Sequence, residues 1–570
     1  MMDDMADHIL KSRYLLPGEK DFTDICRRVA GWIGRDEAES GAFFRMMESG
    51  EFLPNSPALM NAGTPCNQLA GCFVIPVGNT ITGIFEAVKQ GAIIQMTGGG
   101  TGYNFSEIAP AGTTAEPGGA ISPGPVAFLS VFDTVSEVIR QGGRRRGANM
   151  GILDIRHPDI LAFIDAKDKE GKLSHFNLSV TVPDAVMEAF EGGEREEILS
   201  IHPATGRENT IGSVFDAIIN GIHRNGEPGL LFSDAINREN RTPHLGEITA
   251  TNPCGEEPLL PFEACILGSI NLARFIEEST LDWKRLERTV RLAVRFLDLA
   301  IDRSSYPLPE NEDAVKKTRK IGLGVMGLHD ALILLGLPYD SPSARECAEE
   351  MMAFISETAV DESKRLAEVF GPFPAWEGSV WEKPVRNATL TTIAPTGTIS
   401  LFAGCSPGIE PVYSFAFWRN NTAGAEFEVI HPLFSARLDE EIASLGYHGD
   451  EGRARQKAVI EEVRRCGSLQ HIGWLSFEFR KLFVSALDIS WRDHLLMQAA
   501  FQRHTHASIA KTINLPHTTG HEAIREAILS AWKLSLKGIT LYRTGSRRAS
   551  VYSLTGCRWC EREIPYDATE

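Results

Sequence analysis

The chain has 570 residues and a formal net charge of -18 at pH 7, and 43% of its residues are hydrophobic. Its length predicts several domains or one large α/β assembly. The negative charge argues against binding of nucleic-acid polymers, because their affinity for proteins comes largely from basic residues. No apolar stretch approaches the roughly 18 residues of a membrane span. The acidic start does not resemble a signal peptide, so we expect a cytoplasmic protein without membrane contacts.

The predicted elements begin with about fifty helical, charged residues. Residues 72–77 (CFVIPV) have the pattern of a short buried strand, and residues 83–96 have helical periodicity that ends at a glycine run. Strand, turn and amphipathic helix alternate through the middle of the chain, as at residues 286–301. This alternation predicts an α/β fold.

Residues 252–256, NPCGE, place a thiol between a carboxamide and a carboxylate with one-residue spacers. In an extended segment Asn252, Cys254 and Glu256 would project to one side. Pro253 would stiffen the entry, and Gly255 would permit a bend. The spacing suits concerted work on one small substrate. Taken alone, it also fits a polar turn that happens to contain a cysteine.

Residues 394–400, APTGTIS, form a second candidate ligand site. Pro395 fixes the entry, and Gly397 lets the backbone approach a ligand between the hydroxyl groups of Thr396 and Thr398. Backbone N–H groups and hydroxyls bind phosphate without needing a lysine. An ordinary helix N-cap is the alternative interpretation.

Three further patterns are weaker. Gly322, Gly324 and Gly327 spell a dinucleotide fingerprint, but a basic, helix-like segment precedes them, which favours tight backbone packing instead. The arginine cluster at residues 140–146 fits either a local nucleotide site or a solvated turn. The CxxC at residues 557–560 fits either half a zinc site or a dithiol, and the dithiol is favoured because no histidine follows nearby.

NSPALMNAG, GCFVIPV, GGGTGYNFS, RQGGRRRGANMG, NPCGE, KIGLGVMGLHDALILLGLPYDS, APTGTISLFAGCSPGIEP, KTINLP and KGITLYR follow one another over about residues 10–545. With these motifs the chain resembles ribonucleotide reductase in its adenosylcobalamin-dependent class II form. The resemblance implies an α/β fold with a ten-stranded barrel of two half-barrels over residues 51–545. A finger loop at about residues 250–268 would run through its centre. A helical region (1–50) and a flexible tail (546–570) would flank the barrel.

The resemblance also implies roles. Cys254 would become a transient thiyl radical that removes the ribose 3'-hydrogen, and we expect its thiol to be shielded from solvent. Glu256 would accept the 3'-hydroxyl proton, and Asn252 would hold the sugar hydroxyls. Cys72 and Cys265 would supply two reducing equivalents and end as a disulfide.

Binding sites follow by the same resemblance. A ribonucleotide, most simply a diphosphate, would contact Ser56, Gly71, Cys72, Gly100, Asn252, Pro253, Cys254, Gly255, Glu256, Pro395, Thr396, Gly397, Thr398 and Ile399. A deoxynucleotide effector at a homodimer interface would bind loops within about residues 77–150 that include Asn79, Arg140, Arg144 and Arg145. Asn79 replaces the usual acidic residue, which puts effector preference in doubt. Cys557 and Cys560 would pass electrons from a thioredoxin-like donor, and no protein-bound metal is expected.

The class follows from what the motifs lack. Class I enzymes relay a radical through paired tyrosines, and residues 541–543 offer only Tyr542; the glycyl-radical motif of class III is not found. Adenosylcobalamin is the remaining radical source. A class I large subunit and a non-catalytic nucleotide-binding regulatory homologue stay as alternatives.

Overall fold

The computed structural model describes residues 4–114, 119–139, 147–169, 171–420, 426–546 and 552–553. The strands are β1 (Phe52–Pro54), β2 (Cys72–Val74), β3 (Gly100–Asn104), β4 (Asn149–Asp154), β5 (Phe176–Val182), β6 (Ile198–Ile201), β7 (Glu208–Thr210), β8 (Gly229–Phe232), β9 (Ala250–Thr251), β10 (Pro258–Leu259), β11 (Ala264–Asn271), β12 (Ile276–Glu277), β13 (Thr280–Leu281), β14 (Ile321–Met326), β15 (Ala416–Asn420), β16 (Glu426–Ile430), β17 (Thr512–Leu515), β18 (Gly538–Arg543) and β19 (Tyr552–Ser553).

The α-helices are α1 (Asp4–Ile9), α2 (Phe22–Ile33), α3 (Glu37–Glu48), α4 (Ser56–Asn61), α5 (Ile81–Met96), α6 (Pro125–Val138), α7 (Ile160–Ile164), α8 (Asp184–Gly192), α9 (Ile211–Asn225), α10 (Ser233–Arg238), α11 (Trp283–Arg303), α12 (Pro309–Thr318), α13 (Leu328–Leu335), α14 (Pro342–Phe370), α15 (Ile399–Ala403), α16 (Pro432–Ser444), α17 (Gly449–Cys466), α18 (Phe477–Leu482), α19 (Trp491–Gln502) and α20 (His521–Lys533). None of the helices within the described ranges is long and apolar enough to cross a membrane.

The helices form where caps and apolar stripes coincide. Helix α2 starts at Asp21, whose side chain accepts the Asp24 N–H, and buries Ile25, Val29 and Ile33 on one face. Helix α5 starts after Thr80, which caps it in the same way. Residues 83–96 and 286–301 were predicted as helical, and both lie within observed helices, α5 and α11.

The main sheet contains two sets of parallel strands, and β1 pairs antiparallel with one end of β11. Strands β2, β3, β4, β5 and β8 pair in parallel in that order and form the first set. In the second set β11 pairs in parallel with β14, and β17 pairs in parallel with β18. The sets meet through antiparallel pairs, β2 with β11 and β8 with β18. This is the arrangement of two half-barrels that the resemblance implied.

Short bridges join the ends of the second set. The regular ladders stop at β14 on one side and β17 on the other. Residues 391–393 span this gap, with parallel bridges from Thr391 to Leu323 and from Ile393 to Ile509. Their backbone bonds are ordinary, such as Ala510 N–H to the Ile393 oxygen at 2.9 Å. With this segment as a tenth strand, hydrogen bonds run around the whole ring.

A hairpin lies inside that ring. Strands β9 and β10 pair antiparallel and enclose residues 252–257. The Asn177 side chain on β5 donates to the Pro253 oxygen at 2.8 Å, and the Ser508 N–H donates to the Glu256 oxygen at 2.8 Å. Because the hairpin contacts both half-barrels, it occupies the centre of the ring, as expected for a finger loop.

Candidate active site

The tip of the hairpin is a turn closed by Asn252. Its N–H donates to the Glu257 oxygen at 3.2 Å, and its side-chain oxygen accepts the Glu257 N–H at 3.0 Å. Gly255 has φ +82, a left-handed conformation that glycine adopts without strain. Asn252 and Glu256 are both about 2% exposed, whereas Cys254 is exposed at the tip.

This geometry corrects one expectation. Cys254 was expected to be shielded from solvent, and the described residues leave it exposed. The physical reason is the reversal at Gly255, which replaces the extended segment assumed from the sequence. The turn directs Asn252 and Glu256 inward and leaves Cys254 outside them.

Glycines of β3 let the hairpin approach the sheet. A Cβ at Gly102 would lie 1.7 Å from the Thr251 oxygen, and one at Gly100 would lie 2.9 Å from Pro253 Cγ. Any side chain at either position would therefore displace the hairpin. Gly100 was predicted to contact substrate, and the structure places it directly against the finger.

Cys72 and Cys265 lie opposite each other on adjacent strands. Their Cα atoms are register partners in the antiparallel pair of β2 and β11, and both residues carry free thiols. Opposed residues in such a pair have Cα atoms about 4.5–5.5 Å apart, which is within the range that a disulfide spans. Cys72 is 5% exposed and Cys265 is fully buried.

The cysteine pair contacts the hairpin. The Asn252 amide donates to Cys72 Sγ at 3.1 Å, and the Cys72 thiol donates to Glu256 Oε1 at 4.0 Å. The Cys265 thiol donates to the backbone oxygens of Ile266 and Lys320, both at 3.8 Å, and the carboxyl group of Glu257 lies against Gly322 on the same face of the β11–β14 pair. A carboxyl group therefore lies near each cysteine.

Burial shifts all four of these groups toward their neutral forms. It raises the pKa of Glu256 to about 7, and it raises the pKa of Glu257 to about 8, with a further contribution from the charge of Glu256. Burial, followed by the nearby carboxylates, raises the pKa of Cys72 and of Cys265 well above the usual range for a thiol.

The loop at residues 394–400 lies beside the cysteines. Ala394 packs in one small apolar cluster with Cys72, Cys265 and Leu267. Thr396 has φ +53, and its hydroxyl accepts the Gly408 N–H at 2.7 Å, which braces the loop. The remaining predicted contacts are Pro395 and Thr398, which are half-buried, Gly397, which is exposed, and Ile399, which begins α15 and is buried.

Ser56 and Gly71 complete the surroundings. Ser56 is buried at the start of α4 and accepts a hydrogen bond from the Tyr14 hydroxyl at 2.7 Å. The Gly71 N–H donates to the Cys265 oxygen, and its own oxygen accepts the Gly100 N–H. These bonds place Gly71 between β11, which carries Cys265, and β3.

The strand β14 carries the dinucleotide-like glycines. A Cβ at Gly324 would lie 2.2 Å from the Thr392 oxygen, and one at Gly322 would lie 2.6 Å from Glu257 Oε1. The prediction that these glycines serve tight packing is confirmed, because neighbouring residues lie where a side chain at Gly322 or Gly324 would be.

Some predicted residues fall elsewhere. Asn79 is exposed just before α5. Arg140, Arg144, Arg145, Cys557 and Cys560 lie outside the described residues. Sequence reasoning missed Glu257, because no local pattern marks it as buried beside Glu256.

Comparison with known proteins agrees with this geometry. The model of the ribonucleotide reductase all-alpha domain matches residues 2–67, and that of the ribonucleotide reductase barrel domain matches residues 70–385 and 379–542. The chain is 44% identical over 565 residues to a vitamin B12-dependent ribonucleoside-diphosphate reductase of Mycobacterium tuberculosis (strain CDC 1551 / Oshkosh), covering 96% of this chain and 80% of the relative. A protein of the same name from Thermoplasma acidophilum is 44% identical over 517 residues, covering 89% of this chain and 66% of the relative.

A solved structure shares the fold. The Actinobacillus ureae class Id ribonucleotide reductase alpha subunit matches with a TM-score of 0.80 and 25% identity, over 95% of this chain and 97% of that chain. The matched domains and the curated relatives cover nearly the whole sequence. This chain belongs to the ribonucleotide reductase family.

Proposed function

We propose that the chain reduces ribonucleoside diphosphates to 2'-deoxyribonucleotides through a thiyl radical, with adenosylcobalamin as the radical source. The observation that carries this proposal is the Cys72 and Cys265 pair, which lies in register beneath a turn that presents Cys254. The names of the relatives, vitamin B12-dependent ribonucleoside-diphosphate reductases, support the cofactor and the diphosphate substrate.

The surroundings of Cys254 fit such a cofactor. The thiol is exposed, and a Cβ at Gly255 would have no described atom within 4 Å, so a bulky group can approach the tip of the turn. When bound, adenosylcobalamin supplies an organic radical by homolysis of its cobalt–carbon bond. Cys254 and Gly255 would face it, and the bound group would provide the shielding that the chain itself does not.

The hairpin residues act on the 3' position. Cys254, as a thiyl radical, takes the 3'-hydrogen atom. Glu256 accepts the 3'-hydroxyl proton, and its pKa of about 7 suits a general base at neutral pH. Asn252 orients the sugar and is held in place by its two bonds to Glu257.

The cysteine pair supplies the reducing equivalents. The 2'-hydroxyl leaves as water with one proton from Cys72, which donates toward Glu256 in the structure. Carbon 2' gains one hydrogen, and the two sulfur atoms lose two electrons and two protons in total as they form a disulfide. The same hydrogen returns to carbon 3' from Cys254, and Glu256 returns its proton to the 3' oxygen, so the radical and the base are both regenerated.

The substrate would bind across the two loops next to the cysteines. We propose that the ribose lies over Cys72, Gly100 and the hairpin, with Ser56 and Gly71 at the edge. The diphosphate would contact residues 395–399, where Gly397 is exposed and a Cβ there would have no described atom within 4 Å. A nucleotide substrate itself follows from the family.

Other parts of the proposal rest on the sequence. We infer a helical region (1–50), a barrel (51–545) and a tail (546–570) in a cytoplasmic homodimer. A deoxynucleotide effector would bind near Asn79, Arg140, Arg144 and Arg145. A thioredoxin-like protein would deliver electrons through Cys557 and Cys560.

One assay tests the radical source. Purified protein is incubated with a ribonucleoside diphosphate and a small dithiol, with and without adenosylcobalamin. Deoxynucleotide should form only with the cofactor. A strict need for a second protein subunit would support the class I alternative, and no product under either condition would support a regulatory homologue.

A further inference from the structure

Glu257 is a second buried carboxyl group that the proposed mechanism does not use. It is 1% exposed, and Asn252 fixes its backbone through two hydrogen bonds. Its carboxyl group lies against Gly322, the register partner of Leu267, and Leu267 and Cys265 project from the same face of β11, so the carboxyl group and the Cys265 thiol share one side of the sheet. A carboxyl group held beside a reacting sulfur atom can exchange a proton with it.

The space for this carboxyl group is provided by Gly322. A Cβ at Gly322 would lie 2.6 Å from Glu257 Oε1, and Gly322 is the register partner of Leu267. Within the described residues, Oε1 is buried and has no hydrogen-bond partner. An ionised carboxylate with such an oxygen is costly, so the site favours the protonated acid.

Reduction of the disulfide requires a proton at Cys265. Cys72 is slightly exposed and Cys265 is fully buried, so an external thiolate reaches Cys72 first and Cys265 becomes the leaving sulfur. A buried thiolate is unfavourable, and burial raises the pKa of Cys265 well above the usual range. A nearby acid would remove this obstacle.

We propose that Glu257 is the general acid that protonates Cys265 when the Cys72–Cys265 disulfide is reduced. This inference rests on the proposed function, which assigns that disulfide. The incoming thiolate bonds to Cys72 Sγ, the S–S bond breaks, and its electron pair stays on Cys265 Sγ, which takes the Glu257 proton.

The remaining steps balance the reaction. The second thiolate of the same dithiol attacks the mixed disulfide, and Cys72 leaves and takes a proton from Glu256, which lies beside it. The reductant departs as a disulfide with the two electrons. Glu256 and Glu257 then regain protons from solvent.

Several titratable groups around Glu257 set the pH range of this step. They face Glu257 from the elements packed around it: Glu256 on the same turn, Cys72 on β2, Cys265 on β11, Lys320 before β14 and Lys537 before β18. Lys320 is already paired with Glu263 at 2.6 Å. With a pKa of about 8, Glu257 is mostly protonated at neutral pH and loses its proton above that value.

The test follows the disulfide directly and needs neither nucleotide nor cofactor. The full chain, with Cys557→Ser and Cys560→Ser to silence the tail, is oxidised with diamide, and mass spectrometry identifies the Cys72–Cys265 bond. Dithiothreitol then reduces it between about pH 6 and about pH 9, and alkylation stops the reaction at set times. The chain with Glu257 intact is compared with Glu257→Gln and Glu257→Asp.

We expect Glu257→Gln to slow reduction at neutral pH by about a hundredfold, the lower end of the range for loss of a general acid. After correction for the thiolate fraction of dithiothreitol, the rate constant with Glu257 intact should fall as pH rises through about 8, and that of Glu257→Gln should not. Glu257→Asp keeps a carboxyl group and should retain the fall. This matched variant separates proton donation from a packing role.

Two results would overturn the inference. Equal rates and pH profiles for Glu257→Gln and the intact chain would remove Glu257 as the acid while leaving the disulfide assignment in place. Failure of Cys72 and Cys265 to form a bond on oxidation would remove the disulfide from the proposed function, and the acid with it.

Discussion

The cysteines of this site occupy two contrasting environments. Cys72 and Cys265 are buried on paired strands of the barrel wall, whereas Cys254 is exposed on a turn at the centre. A sheet register fixes the distance between two sulfur atoms that must bond, and a turn presents a single sulfur atom to a group that arrives from outside. The contrast indicates that the dithiol depends on the fold and the radical thiol depends on access.

The strongest test of this contrast is Cys254→Ser. We expect deoxynucleotide formation to fall by at least about a thousandfold, because a hydroxyl group cannot replace the thiol as hydrogen-atom carrier. The melting temperature should be nearly unchanged, because the side chain is exposed. Cys66→Ser, at another exposed cysteine, is the matched control and should keep full activity; comparable losses in both variants would contradict the assignment.

Substitution of the buried Cys265 should lower stability as well as activity. Cys265→Ala should also stop turnover with a dithiol, and it should lower the free energy of unfolding by about 1 kcal/mol through the small cavity that it leaves. Turnover assays and urea denaturation measure the two effects. An active Cys265→Ala variant would rule out the disulfide, and an unchanged stability would show that the wall can close over the missing sulfur.

The role of Glu256 as general base can be tested through the pH dependence of activity. Glu256→Gln should reduce kcat/KM by about a hundredfold or more, the usual range for loss of a general base. With Glu256 intact, activity should fall as pH drops through about 7, because the base must be ionised to accept a proton. This limb should vanish in Glu256→Gln. If the variant keeps the same limb, another group is the base.

The smallest expected effect concerns the wall behind Glu257. In Gly322→Ala the new methyl group would lie 2.3 Å from Leu267 Cδ2 and 2.6 Å from Glu257 Oε1, so the free energy of unfolding should fall by about 1–3 kcal/mol. Gly473→Ala, where a Cβ would have no described atom within 4 Å, is the control for stability. Equal stability of the two variants would show that the wall yields at Gly322.

Much of the barrel could be predicted, because its motifs stand in the sequence in recognisable order. The two half-barrels, the central hairpin and the packing role of Gly322 and Gly324 all agree with expectation. The register of Cys72 with Cys265 could not be derived from spacing, because strands far apart in the chain decide it. The exposure of Cys254 was missed because the φ of Gly255 depends on the turn that Asn252 closes.

Glu257 shows a further limit of the sequence. Two adjacent glutamates in a strand would be assigned to opposite faces, one buried and one solvated. Both are buried here because the turn directs them toward the barrel wall, whereas Cys254 stays exposed at the tip. The significance of Glu257 depends on its position against Gly322 and on the face of the sheet that carries Cys265, which no local pattern reveals.

The antiparallel junction of β2 and β11 has a mechanical consequence. Cys72 belongs to the first half-barrel and Cys265 to the second. A disulfide between them is therefore a covalent cross-link, or latch, between the two half-barrels where β2 pairs with β11. In the proposed cycle this latch closes with each product molecule and opens with each reduction. In the oxidised state the disulfide therefore restrains movement of the two half-barrels relative to each other. The reductant must act on this restrained form of the protein.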